Sequence, residues 1–144
     1  MRKNTLQQLS DLTNAKYQAD LARLATLKEA EDNVRSALDE LDTSRRRNAA
    51  ALLSELNGQK SLGGDVLWQA WMSRAREARQ LEMAQIRAQK EHLLQTLRLS
   101  FGRRLAAEQL RERYSADTRK QDSKKHQSEQ QSLNILDAAG KQDG

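Results

Sequence analysis

A glycine-broken gap, Asn57-Gly58 through Gly63-Gly64-Asp65, separates two proline-free segments that are each long enough to form one uninterrupted helix. Proline would end or kink a helix, and paired glycines weaken one, so the chain has helix-forming stretches on both sides of a single place to turn. The pattern predicts an all-α fold, two long helices forming an antiparallel coiled-coil hairpin with its bend at 57–65. Composition limits how thick such a fold can be. Asp, Glu, Lys and Arg make up 31% of the 144 residues, and the aromatics are two Trp, two Tyr and one Phe. Long helices joined along a thin apolar seam are the arrangement this composition supports.

The chain contains no cysteine, which removes disulfide frameworks and thiolate metal sites and fits a reducing compartment. The start MRKNTLQQLS has no apolar core of a leader, and no stretch approaches the roughly 18 apolar residues of a membrane span. A cytoplasmic protein without direct membrane insertion is expected.

The net charge of +5 is unevenly placed. Residues 1–57 carry nine basic and nine acidic groups, residues 66–113 carry ten and five, and residues 114–144 carry five of each. The excess lies on the second helix, where Arg74, Arg76, Arg79, Arg87, Arg98, Arg103, Arg104, Arg111 and Arg113 alternate with glutamates. This reads first as a solvated helix face and second as a surface for an acidic protein partner. Nucleic acid is not expected as a partner, because the interleaved glutamates oppose a phosphate backbone. The cluster Arg45-Arg46-Arg47 does not alter that balance.

In the first segment Asn4 is placed to cap the helix, with Gln7 three residues on in capping-box spacing. From Leu24 onward the positions 24, 27, 31, 34, 38, 41, 45, 48 and 52 alternate steps of three and four, the signature of a two-helix seam. Before Leu24 the apolar residues run through Leu9, Thr13, Tyr17 and Leu21. That lengthened spacing predicts an interrupted heptad and a relaxed supercoil. Glu31 with Arg35 and Asp42 with Arg46 have the favourable order four residues apart.

The second segment is expected to open with Asp65 as N-cap, followed by the dense block Val66, Leu67, Trp68, Trp71 and Met72. Beyond it the expected seam thins to Ala75, Ala78, Ile86, Leu93, Leu97, Phe101, Leu105 and Tyr114, with Glu82 and Lys90 at or near inward positions. Gly102 costs this helix about 1 kcal/mol relative to Ala. Residues 1–114 therefore read as the hairpin, and residues 115–144, polar apart from Leu133, Ile135 and Leu136, as a helical extension or a disordered tail.

No motif for catalysis emerges. His92 and His126 stand apart from each other and from any ligand-spaced neighbour, Gly63-Gly64 lacks the Lys-Ser/Thr ending of a phosphate loop, and the serines have no organised base. A non-enzymatic protein with no metal or cofactor is expected. Trp68 and Trp71, three residues apart, form the candidate interaction site. Two thin helices cannot enclose two indoles, so one ring is expected to pack on Leu52, Leu53 and Leu56 while the other stays available to a partner.

The helix, the glycine-containing bend, the block GGDVLWQAWMSRAREA with its small residues at 75 and 78, the second helix and the polar tail together resemble the FliJ family, which includes YscO-type proteins of injectisomes. The resemblance implies a fold similar to the rotor, or gamma, stalk of rotary ATPases. It implies a stalk component of the flagellar type III protein export apparatus, peripheral at the inner membrane, inserting into the hexameric export ATPase ring and reaching the export-gate membrane protein. By position, the family's gate-contact stripe falls on Trp68, Trp71, Ala75 and Ala78, facing Leu38, Leu41 and Arg45. Unlike many members, this chain has no aromatic on the first helix after Tyr17. The ATPase-ring contact falls on Leu6, Leu9 and Leu12 with Tyr114 and Arg119. Two other readings stay open: an export chaperone for flagellar substrates, with export chaperones also as further candidate partners, and a generic coiled-coil scaffolding protein.

Overall fold

A computed structural model of the chain describes residues 2–54 and 62–142. All of them belong to two helices, α1 (Arg2–Ser54) and α2 (Leu62–Gln142). The two pack as an antiparallel hairpin. Residues 57–61 of the expected bend lie outside the described residues, whereas 62–65 belong to α2.

The chain divides into an inner unit, Gln18–Arg98, and a terminal unit formed by Met1–Tyr17 with Leu99–Gly144. Each shows the antiparallel sense by its own contacts. In the terminal unit, Arg111 Nη1 donates to Gln7 Oε1 at 3.1 Å and the ring of Tyr17 lies 5.6 Å from that of Phe101, so ten residues forward on α1 match ten residues back on α2. In the inner unit, Lys90 reaches Glu31, and Arg45 and Leu52 line one cleft with Trp68 and Met72.

Local chemistry supports both helices. The expected pairs Glu31–Arg35 and Asp42–Arg46 form, each at 3.2 Å, and Arg79 meets Glu82 at 3.0 Å. Threonine hydroxyls that would otherwise compete with the helix donate back to carbonyls four residues earlier, Thr13 to Leu9 at 2.9 Å and Thr118 to Tyr114 at 2.8 Å.

The helix starts differ from expectation. α1 is already helical at Arg2 and α2 at Leu62, so Asn4 and Asp65 lie within first turns rather than at caps. Asp65 keeps a favourable place there, beside the positive end of the helix dipole.

The seam of α1 also corrects the sequence reading. Its inward positions are Leu6, Ser10, Thr13 and Tyr17 in the terminal unit, then Asp20, Leu24, Leu27, Glu31, Val34, Leu38 and Leu41 in the inner unit. Steps of four and three continue throughout, and the repeat does not lengthen before Leu24. Following apolar residues led to Leu9, which is 39% exposed, while Thr13 and Tyr17 keep their expected inward places and Ser10 and Asp20 join them. Asp20 is 0% exposed with Arg23 Nη1 3.9 Å from its carboxylate, so the packing rhythm is kept with a short polar side chain whose charge has a cation beside it.

The same slip occurs on α2. In the inner unit Met72, Met83, Ile86 and Leu93 are buried, and Val34, Met83 and Ile86 form a core cluster flanked by Ala30 and Leu38. In the terminal unit the buried positions are Ser100 and Ala107, not Phe101 and Leu105, which are 46% and 44% exposed. Small inward residues let the backbones approach closely, and the larger side chains sit on the flank. Gly102 has open space around its Cα, so its cost is the intrinsic one of a helical glycine.

Within the terminal unit α2 outruns α1. With Gln7 level with Arg111, Arg2 falls level with residue 116, and α2 continues to Gln142. The remaining stretch is about 26 residues, or roughly 40 Å of helix. Every residue from 115 to 142 is exposed.

Candidate functional site

The residues expected at the gate contact all belong to the inner unit, but they do not form one surface. Leu38 packs on the Val34–Met83–Ile86 core, and Leu41 and Ala75 are half-buried in the seam. Arg45 is exposed, with its guanidinium 3.5 Å from Asp42. Arg45 and Trp68 meet in a cleft of about 260 Å³ whose walls include Asn48, Leu52 and Met72.

The two tryptophans divide as a thin fold requires. Trp68 is half-buried and shares that cleft with Leu52, whereas Trp71 is 58% exposed. Leu53 is 69% exposed, and Leu56 lies outside the described residues. Trp71 and Ala78 belong to an outward stripe at heptad spacing with Leu67 and Leu81, which are 74% and 62% exposed. Arg74 takes the intervening heptad place between Trp71 and Ala78, and aromatic anchors on such faces supply much of the energy of protein interfaces.

At the other candidate site, in the terminal unit, Leu6, Tyr114 and Arg119 line one cleft of about 540 Å³. Its walls come from both helices: Lys3, Leu6 and Gln7 on α1, and Arg111 through Arg119 on α2. Leu9 and Leu12, named with them from sequence, point outward and do not line the cleft. The cleft joins an apolar floor to a predominantly basic rim of Lys3, Arg111 and Arg119, with Glu112 as its carboxylate.

The sequence reading placed Glu31 in the seam, paired it with Arg35 and set Lys90 near an inward position, but it did not join Glu31 to Lys90 or Tyr17 to Arg104 across the two helices. Glu31, 8% exposed, accepts from Lys90 Nζ at 3.0 Å and from Arg35 Nη2 at 3.2 Å, with Arg87 Nε 3.7 Å away. The hydrogen bond from Lys90 holds the Glu31 carboxyl below its ordinary 4.5; burial opposes this, and the charges of Lys90, Arg35 and Arg87 reinforce it. Further along, Arg104 lies over the Tyr17 ring at 5.1 Å from its centroid, and Phe101 meets that ring tilted at 53°. The available signal was the unbroken heptad, which places Glu31 and Tyr17 on one line of α1 and Lys90 and Arg104 on one line of α2.

His92 and His126 are both exposed. Among the described residues no group of three or more His, Cys, Asp or Glu side chains is gathered as a metal site requires, and no helix is long and apolar enough to cross a membrane. No protein-family model, curated protein or solved structure matches this chain.

Proposed function

We propose that the chain is a non-enzymatic stalk component of a flagellar-type protein export apparatus, inserting into a hexameric export ATPase ring and linking it to an export-gate membrane protein. It would act in the cytoplasm, peripheral at the inner membrane. The family resemblance of the bend-proximal block motivates the reading. The observation that carries it is the stretch of α2 beyond residue 116, which leaves roughly 40 Å of helix exposed on all sides and free of α1. A helix that is polar along most of its length, apart from Leu133, Ile135 and Leu136, has little to hold it alone, and the bore of a ring is a partner that surrounds it. The cleft at Leu6, Tyr114 and Arg119 lies at the base of this stretch, where a ring subunit would meet both helices.

On this reading the chain biases ring assembly and coordinates hydrolysis among subunits through asymmetric contacts.

The outward stripe of Leu67, Trp71 and Leu81 favours a second reading, an export chaperone or coiled-coil scaffold centred on the inner unit. Crosslinking separates the two. A photo-reactive group at Lys125 should capture the cognate export ATPase, whereas capture only from position 71, with none from 125, would move the assignment to a chaperone or scaffold.

A further inference from the structure

We propose that two copies of this chain pair antiparallel through the part of α2 beyond Tyr114, each laying Leu133, Ile135 and Leu136 into the other's cleft beside Leu6 and Tyr114. The inference concerns the free protein and stands independently of the stalk reading.

The apolar cluster is the first argument. Leu133, Ile135 and Leu136 are 63%, 69% and 67% exposed. At about 100° per residue, Leu133 and Ile135 are roughly 160° apart with Leu136 inside the arc. So wide an arc does not fit a single neighbouring helix. It fits a groove between two helices, and the cleft lined by Lys3, Leu6 and Gln7 on one side and Arg111, Tyr114 and Arg119 on the other is such a groove.

Charge supplies the second argument and fixes the direction. The proximal part of the exposed helix is basic, with Arg119, Lys120, Lys124 and Lys125 against Asp117 and Asp122, while Glu129 and Asp137 dominate the distal part. Parallel pairing in register would set Lys120, Lys124 and Lys125 against their own copies. In antiparallel pairing that places Ile135 level with Ser115, only Lys125 falls level with its own copy, and Glu129 falls level with Gln121, flanked by Lys120, Lys124 and Lys125. Asp137 falls level with Arg113, and Lys141 falls level with Gln109, between Glu108 and Glu112. Each charge of the distal part thus meets its opposite.

Symmetry supplies the third. The contact is isologous, since the cleft of each copy receives the cluster of the other, and it closes at two chains. The pairing would cover the surface that is otherwise left bare, and any partner that surrounds this helix would have to displace it.

The test uses the full chain, which has no cysteine of its own. Sedimentation equilibrium should show a concentration-dependent dimer. Under oxidation, a mixture of Ser115→Cys and Asn134→Cys should form a mixed disulfide dimer, and neither variant alone should. Leu133→Asp with Leu136→Asp should abolish the dimer while leaving tryptophan emission unchanged. Glu129→Lys should weaken it, and Lys124→Glu with Lys125→Glu should restore it. A monomer at every soluble concentration would overturn the proposal. So would efficient crosslinking of either single variant with itself, or a dimer indifferent to Leu133→Asp with Leu136→Asp.

Discussion

Lys90 on α2 donates a 3.0 Å hydrogen bond to Glu31 on α1, joining side chains 59 residues apart at inward positions of the inner unit. A charged pair on a seam contributes less to gross stability than to pairing specificity, because an alternative alignment separates Glu31 from Lys90 and leaves it only Arg35 of its own helix. Lys90→Met should therefore lower the melting temperature, and Glu31→Leu combined with Lys90→Met should recover it at least in part. Thermal denaturation followed by circular dichroism measures both. A double variant less stable than Lys90→Met alone would contradict the pairing.

The same carboxylate gives the hairpin an acid limb. Its folded value lies below the ordinary 4.5, so its contribution to stability is fully present above 4.5 and is lost as pH falls through the lowered folded value. Denaturant midpoints measured downward from pH 6 should decline in the acid range, and Glu31→Gln should flatten that decline. An equal decline in both proteins would remove Glu31 as its source.

The corrected seam of α2 is open to a pair of substitutions with opposite expectations. Leu105→Ala changes an exposed flank and should alter stability by no more than about 0.5 kcal/mol. Ala107→Leu puts bulk at a position that is 2% exposed and should cost about 1 to 3 kcal/mol. Urea denaturation of the two variants decides between the seam seen here and the one through Phe101 and Leu105. For scale in the inner unit, Ile86→Ala should cost about 2 to 5 kcal/mol.

Tryptophan fluorescence tests the division of the indoles. With Trp71 58% exposed and Trp68 half-buried, Trp68→Phe should leave red-shifted emission that acrylamide quenches readily. Trp71→Phe should leave bluer, more protected emission. Identical quenching of the two variants would place both rings in the same environment.

The hairpin was legible in the sequence because helix propensity, the lack of proline and the glycine gap all act locally and agree. The seam was legible only where its residues are apolar. From Leu24 to Leu41 the repeat could be followed directly and beyond it Arg45 turns outward, while Ser10, Asp20, Ser100 and Ala107 are inward without being large or hydrophobic, so attention to apolar residues passed to Leu9, Phe101 and Leu105. Helix starts failed for a related reason: Asn4 and Asp65 have capping chemistry, yet the helices extend past both. Of the candidate surfaces, the cleft at Leu6, Tyr114 and Arg119 unites residues that sequence had already grouped. The partition of Trp68 from Trp71 required knowing which face of α2 turns toward α1.

The most direct test of the stalk assignment is ATP turnover by the cognate flagellar-type export ATPase, measured with the full chain and with a chain truncated after Tyr114. Stimulation of ring formation and hydrolysis by the full chain, lost on truncation, is the predicted result. Unchanged turnover with both proteins, or equal stimulation by both, would contradict a stalk that acts through the exposed length of α2.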